Sequence, residues 1–154
     1  MSTRAIQFLK HKKIAFEVVR YEHQEKGAEY AAKATGYPLA QTVKTLMVDL
    51  GEKEYTLVLM AGDKQLSIKR LAKICGVKRA AMADTKTAER LTGYLVGGIS
   101  PFGTKQKLPV VMEEGILDFD KILINAGQRG KMLILAPRDI QTCLGCTIAN
   151  VAQS

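Results

Sequence analysis

The chain has 154 residues, of which 47% are hydrophobic and 25% charged, and its formal net charge at pH 7 is +8. This length fits one domain, residues 1–154, that needs neither a disulfide nor a metal to fold, and the composition excludes a disordered or collagen-like protein. The longest apolar runs are strand-sized, so we expect no transmembrane helix and no membrane partner.

The N-terminus and the cysteines predict a cytoplasmic protein. The first residues reach His11 without the apolar stretch of a secretory signal. The chain has three cysteines, and an odd number without an export signal favours reduced thiols over a disulfide framework.

The positive charge is concentrated in the first half of the chain. Residues 1–80 carry 15 basic and 8 acidic side chains, whereas residues 81–154 carry 8 and 7. A basic domain with a pI near 9.5 suits a polyanionic partner, because neutralising phosphates releases counterions. Solubility alone would account for the same excess, so composition leaves both interpretations open.

Hydrophobic periodicity and turn residues predict short helices between strands along the chain. The predicted helices cover residues 3–12, 28–34, 68–75 and 85–91, the last two capped by Ser67 and Asp84. The predicted strands cover residues 16–21, 42–50, 55–61, 109–112, 121–125, 132–136 and 147–151. Residues 51–54 predict a hairpin turn. This irregular order indicates an α+β fold, a mixed α/β sheet rather than a doubly wound one.

Lys44 is the first candidate functional residue. Side chains alternate along a strand, which places Lys44 on one face with Leu46, Val48 and Leu50. An ammonium among aliphatic side chains is costly unless it is paired or opens into a wet cleft. The alternative is a lysine near the strand end that reaches water.

A glycine-rich loop over residues 97–103 is the second candidate. Its glycines let backbone N–H groups approach a ligand closely, so the loop could donate hydrogen bonds to a carbonyl or an oxyanion. It lacks the phosphate-loop and dinucleotide patterns. A purely structural turn is the competing interpretation.

Conventional nucleophiles are scarce. His11 and His23 are expected to be exposed, and Cys75 to pack in the core. Cys143 and Cys146 form a single CxxC without the further ligands that zinc needs, so we expect no metal and no cofactor.

Two charged segments complete the candidates. Glu113 and Glu114 are expected to form a solvated turn, and Arg129 lies in a glycine-flanked turn where it could bind a carboxylate or phosphate.

Several of these segments together resemble one family. They are Tyr21-Glu22-His23, Val43-Lys44-Thr45-Leu46, Met82-Ala83-Asp84, Thr92-Gly93-Tyr94-Leu95-Val96-Gly97-Gly98-Ile99-Ser100-Pro101 and Arg129-Gly130. Their order and spacing are similar to those of the bacterial Cys-tRNA(Pro) deacylase family, also called YbaK or YbaK/EbsC. The resemblance extends over essentially the whole chain. It implies a single aminoacyl-tRNA editing domain with a mixed, barrel-like sheet.

The resemblance implies an enzyme that clears mischarged tRNA(Pro), with Cys-tRNA(Cys) as a candidate second substrate and prolyl-tRNA synthetase as a candidate second partner. DNA is not an expected partner. Lys44 corresponds to the family's conserved lysine, which orients the ester at the acceptor end. The substrate-binding positions it implies are Tyr21, Gly97, Gly98, Ile99, Ser100, Pro101, Gly127, Arg129 and Gly130. The basic face formed by Lys69, Arg70 and Lys73 is the predicted tRNA-binding surface.

The family is thought to use no protein nucleophile, because the thiol of the substrate cysteine attacks its own ester and leaves as a cyclic thiolactone. The protein then has to orient the substrate and stabilise the oxyanion. Gln128 and Met132 depart from the residues usual in relatives, which bears on selectivity. The alternatives are a deacylase for Ala-tRNA(Pro) and a non-catalytic tRNA-binding module.

Overall fold

The computed structural model describes residues 2–25 and 27–154. Over this part of the chain five α-helices surround a sheet of eight strands, with two short 3₁₀ helices. The helices are α1 (Arg4–His11), α2 (Ala28–Thr35), α3 (Ile68–Cys75), α4 (Thr85–Thr92) and α5 (Pro137–Leu144). The strands are β1 (Glu17–Arg20), β2 (Thr42–Gly51), β3 (Glu54–Ala61), β4 (Ala81–Met82), β5 (Val110–Glu113), β6 (Ile122–Gln128), β7 (Lys131–Leu135) and β8 (Thr147–Ala149).

The sheet mixes parallel and antiparallel neighbours, as predicted. Its strand order is β1-β7-β6-β2-β3-β5-β8, and β4 pairs with β2 outside this path. The β2–β3 and β6–β7 hairpins are antiparallel, whereas β2–β6, β3–β5 and β5–β8 are parallel. The expected mixed α/β sheet with short surrounding helices is therefore confirmed.

Both faces of the central hairpin are buried. Val43, Met47 and Leu57 on one face contribute to the largest hydrophobic cluster. Val48 and Val58 on the other face pack with Leu71 of α3. A third, smaller cluster joins α2 to β6 and β7. Two-sided burial follows from the alternation of large apolar side chains on each face of the strand.

Local signals set several helix ends. The Ser67 hydroxyl accepts the Arg70 N–H at 3.2 Å, and an Asp84 carboxylate oxygen accepts the Thr87 N–H at 2.7 Å. These are the predicted N-caps of α3 and α4. Helix α5 and strand β4 were not predicted, and the predicted C-terminal strand is shorter than expected. Proline occupies the first turn of α5, where its missing N–H costs nothing.

The expectation of a solvated turn at Glu113 is wrong. Glu113 ends β5 and is only 3% exposed. Its Oε1 atom accepts the Gly115 N–H at 3.2 Å and lies 3.5 Å from the Lys64 ammonium. The carboxylate thus accepts a backbone N–H in the first turn of the following 3₁₀ helix, while Glu114 is exposed as predicted.

Candidate functional site

A gap in the pairing of β2 creates the site. Strand β6 pairs with β2 only at Thr42 and Val43, and β4 pairs with it only at Val48 and Asp49. Between them, no ladder within the described residues covers this edge of β2. The Met47 carbonyl points to this edge and accepts the Ala83 N–H at 3.0 Å. By alternation, the backbone N–H and C=O of Thr45 point to the same edge.

A cavity of about 360 Å³ opens at this gap. This volume is within the usual range for small-ligand sites. Most of its wall is apolar, including the methionines Met47, Met82 and Met132. The polar side chains that line it are Tyr21, Lys44, Thr45, Thr85 and Asn125.

Lys44 enters this cavity from the predicted face of β2. It is half-buried, and among the described residues its ammonium has neither an ion pair nor a hydrogen bond. Burial lowers the pKa of Lys44 from its ordinary value of 10.5, against the opposing effects of Asp63 and Glu29. The neighbours Leu46 and Val48 belong to the cluster around α3, which confirms the alternation. Within residues 2–25 and 27–154, Lys44 is therefore a cation that lines the cavity without a partner.

Tyr21 forms another part of the wall. Burial is the main cause that raises its pKa, with a smaller contribution from Tyr30. Its backbone N–H donates to the Gly130 carbonyl at 2.9 Å, and a Cβ on Gly130 would lie 2.7 Å from the backbone carbonyl oxygen of Tyr21. Gly130 thus allows the β6–β7 turn to approach Tyr21 closely.

The glycine-rich loop borders the cavity through a tight turn. The Gly98 N–H donates to the Leu95 carbonyl at 3.0 Å, and Gly97 has φ of +98°. These features define a type II turn, which needs glycine at its third position. Gly97 and Ile99 line the cavity. No acceptor among the described residues takes their N–H groups.

The loop packs directly on the β6–β7 turn. A Cβ on Gly98 would lie 2.8 Å from the backbone nitrogen of Arg129, and one on Gly127 would lie 2.6 Å from the Tyr94 ring. The Arg129 Nε–H donates to the Val96 carbonyl at 2.7 Å. Gly98, Gly127 and Arg129 therefore join the two segments behind the cavity rather than line it.

Two residues of the loop, Ser100 and Pro101, do not line the cavity. Both are buried, and the Ser100 hydroxyl accepts the Phe102 N–H at 3.3 Å. Phe102 is fully buried and stacks on Phe8. Neither Ser100 nor Pro101 lines the cavity, so their predicted contact with substrate stays a prediction.

His23 was expected to be exposed, and this expectation is wrong. Its Nδ1 atom is buried and has no hydrogen-bond partner within the described residues. Its Cε1 atom would lie 3.2 Å from a Cβ on Gly97, so the ring supports the loop from behind. The only sequence feature that pointed to a role for His23 was the match of Tyr21-Glu22-His23 to the family. His11 is exposed, as predicted.

The three residues of the predicted tRNA surface on α3 differ in their contacts. Lys69 and Lys73 are exposed, and α3 packs on the same face of β2 as Lys44. The Arg70 guanidinium donates to Asn150 Oδ1 at 3.2 Å and to the Ser154 hydroxyl at 2.9 Å. Arg70 thus holds the C-terminal segment, and its contact with tRNA stays a prediction.

The cysteines lie outside the cavity lining. Cys143 is in the last turn of α5, and all three thiols are free. Burial raises the pKa of Cys143 to about 11 and that of Cys146 to about 12. Both are protonated at neutral pH and are poor nucleophiles. The described part of the chain holds no cluster of three or more His, Cys, Asp or Glu residues that could bind a metal.

No helix in residues 2–25 or 27–154 is long and apolar enough to cross a bilayer.

The fold is shared with solved structures. A crystal structure provisionally described as a trans-editing enzyme for prolyl tRNA synthetase superposes with a TM-score of 0.89 at 24% identity, covering 98% of this chain and 96% of the other. A hypothetical protein superposes with a TM-score of 0.91 at 23% identity, covering 98% and 100%. At this identity the likeness establishes the fold alone.

Sequence similarity establishes the family. The aminoacyl-tRNA editing domain profile matches residues 22–143. EbsC of Enterococcus faecalis, provisionally assigned as a Cys-tRNA(Pro)/Cys-tRNA(Cys) deacylase, is 33% identical over 97% of this chain and 92% of its own. The multifunctional Ser/Thr-tRNA deacylase ProXp-y of Escherichia coli K12 is 32% identical over 88% of this chain and 83% of its own. The chain belongs to the aminoacyl-tRNA editing domain family, as the sequence motifs predicted.

Proposed function

We propose that this chain is a free-standing editing deacylase that releases cysteine from Cys-tRNA(Pro), with Cys-tRNA(Cys) as a second substrate. The observation that carries the proposal is a half-buried Lys44 beside the N–H groups of Gly97 and Ile99, all without a partner among the described residues, in a cavity of about 360 Å³. This site can hold an ester carbonyl and a nearby anion. The provisional assignment of the relative EbsC as a Cys-tRNA(Pro)/Cys-tRNA(Cys) deacylase supports cysteine as the amino acid released.

The substrate supplies the nucleophile in the proposed reaction. The cysteine thiolate attacks its own ester carbonyl, forming a carbon–sulfur bond, and the carbon–oxygen bond to the terminal ribose breaks. The thiol proton ends on the ribose oxygen, so the products are a cysteine thiolactone and uncharged tRNA. A free thiol has a pKa near 8.5 and is partly ionised at neutral pH, so no protein base of unusual strength is required.

The protein contributes orientation and electrostatics. The N–H groups of Gly97 and Ile99 face the ester carbonyl, where negative charge develops. The Lys44 ammonium orients the acceptor end and adds positive charge beside a largely apolar wall. The buried cysteines are incidental, because the reacting thiol arrives with the substrate.

Met132 bears on the choice of amino acid. It lines the cavity and is 2% exposed, with Asn125 opposite it on β6. An apolar, polarisable wall suits a thiol or methyl better than a hydroxyl, which would lose hydrogen bonds to water. We therefore expect cysteine to be released faster than serine. Alanine from Ala-tRNA(Pro) is the alternative substrate.

The tRNA and a synthetase are the proposed partners. Lys69 and Lys73 offer an exposed basic surface for the phosphate backbone. A proline–tRNA ligase of Trichlorobacter lovleyi is 30% identical over 63% of this chain, which covers 17% of the ligase. This similarity supports prolyl-tRNA synthetase as the second partner. The substrate and the free thiols support action in the cytoplasm.

The decisive experiment measures deacylation of tRNA(Pro) charged with cysteine, alanine or serine. The protein should accelerate loss of cysteine over buffer, and the thiolactone should be trapped as product. Lys44→Ala and Lys44→Met, which keeps an unbranched four-atom chain but no ammonium, should both lose most of the rate, about 10²-fold. Lys10→Met, which removes an exposed lysine of α1, is the matched control.

Each alternative has its own outcome in this assay. Faster release of alanine than of cysteine would replace the proposed substrate. Salt-sensitive tRNA binding without acceleration of any charged tRNA would indicate a non-catalytic tRNA-binding module and overturn the proposal.

A further inference from the structure

Charged side chains hold the two peptide units on either side of Val96, Glu89 the Leu95–Val96 unit and Arg129 the Val96–Gly97 unit. The Val96 N–H donates to Glu89 Oε2 of α4 at 2.8 Å. The Val96 carbonyl accepts from Arg129 Nε of the β6–β7 turn at 2.7 Å. Neither Glu89 nor Arg129 lines the cavity, whereas Val96 and Gly97 both do.

This arrangement determines where the Gly97 N–H points. A trans peptide is planar, so the Val96 carbonyl and the Gly97 N–H point in opposite directions. Because the carbonyl is turned toward Arg129 behind the loop, the N–H is turned toward the cavity. The side chain of Arg129 also packs along Gly97, where a Cβ would lie 3.1 Å from Nε.

The turn type makes this peptide the one that can flip. Types I and II differ by a rotation of their central peptide of roughly half a turn, and glycine at the third position allows both. Here the central peptide joins Val96 and Gly97, and φ of +98° at Gly97 defines type II. In a type I turn the Gly97 N–H would face away from the cavity.

We propose that Arg129 is a positioning residue that holds the Val96–Gly97 peptide in its type II orientation, so that the Gly97 N–H meets the ester carbonyl, and that Glu89 supports it by fixing the preceding Leu95–Val96 peptide. This inference rests on the proposed deacylase function. It gives Arg129 a role different from that of a substrate or phosphate ligand. The two ionic side chains act on catalysis through the backbone, without touching the substrate.

Two substitutions separate positioning from phosphate binding. In Arg129→Gln the amide nitrogen occupies the same place along the side chain as Nε, so the donor is kept and the charge is lost. In Arg129→Lys the charge is kept, but a methylene replaces Nε–H. Positioning predicts that Arg129→Gln retains kcat and Arg129→Lys loses about tenfold or more, since losing one oxyanion donor costs up to about 10²–10³.

The kinetic test uses saturating charged tRNA at two salt concentrations. In Arg129→Lys, kcat should fall while KM and its salt dependence stay within about twofold of wild type. Glu89→Gln, which keeps an acceptor, should retain more activity than Glu89→Ala. Arg138→Lys is the matched control on an exposed arginine of α5. The reverse ranking at Arg129, with Lys active and Gln weakened in KM, would overturn the inference.

A second readout does not depend on activity. The Gly97 amide signal in ¹H–¹⁵N spectra should shift or broaden in Arg129→Lys, and should stay near its wild-type position in Arg129→Gln and Arg138→Lys. An unchanged Gly97 signal in Arg129→Lys would refute the positioning role. If wild type accelerated no charged tRNA but the Gly97 signals behaved as expected, the deacylase proposal would fail while the structural role of Arg129 stood.

Discussion

Gly98→Ala tests the contact on which the site depends. The added Cβ would lie 2.8 Å from the backbone nitrogen of Arg129 and 2.8 Å from the carbonyl carbon of Gln128. Ordinary van der Waals contact lies at about 3.5–4.0 Å, so one backbone segment has to move by more than half an ångström. The β6–β7 turn resists this movement, because Gln128 pairs with Lys131 across it.

The expected cost follows from this overpacking. Forcing an extra methyl into a packed contact costs about 1–3 kcal/mol. For a chain of this size, that lowers Tm by about 2–12 °C. If the loop moves instead, the turn at Gly97 shifts relative to the cavity and kcat falls. Thermal unfolding and single-turnover deacylation measure the two effects on the same sample.

Gly145→Ala is the control for this prediction. Gly145 ends α5 with φ of +63°, and no heavy atom lies within 4 Å of the place where its Cβ would stand. Its substitution should cost about 1–2 kcal/mol through backbone strain alone and leave kcat unchanged. If Gly98→Ala matched wild type in both Tm and kcat, the close packing of the loop on the β6–β7 turn would be refuted.

Three further predictions concern charge and thiols. Lys44→Met should raise Tm at pH 7 by removing a half-buried charge. Because burial lowers the pKa of Lys44 in the folded state, wild type should recover stability as pH rises from that lowered pKa to 10.5. A difference in Tm between the variant and wild type that stayed constant over this pH range would contradict the prediction. Lys69→Ala and Lys73→Ala should each reduce the salt slope of tRNA binding by about 0.7–0.9, and an unchanged slope would remove these lysines from the interface. Cys143 and Cys146 should react with iodoacetamide at pH 8 more slowly than free cysteine, since burial raises the pKa of these thiols to about 11 and about 12, and replacing both with serine should preserve deacylation.

Local patterns were sufficient for most of the secondary structure. The β2–β3 hairpin and the caps at Ser67 and Asp84 depend on residues near one another in sequence, and they formed as predicted. Helix α5 was not predicted, although Pro137 stands in its first turn. Packing of the buried Ile140 supports this short helix, and that contact has no local signal.

The candidate site was predictable in part for the same reason. Strand alternation placed Lys44 correctly, because its period of two is a local property. The burial of the His23 Nδ1 atom and of Glu113 was missed, since His23 lies against Gly97 and Glu113 against Lys64, both distant in sequence. A charged or titratable residue is usually solvated, so the pattern alone favoured exposure.

The sequence by itself determined the strand that carries Lys44, the glycines of the loop and the family. Only the tertiary structure decided that β2 is left uncovered between β6 and β4, where the cavity opens. It also decided that Arg129 turns inward to Val96, and that Arg70 holds the C-terminal segment instead of standing free. The physical reason is that side-chain periodicity and turn chemistry act over a few residues, whereas strand order and loop packing join segments that lie tens of residues apart.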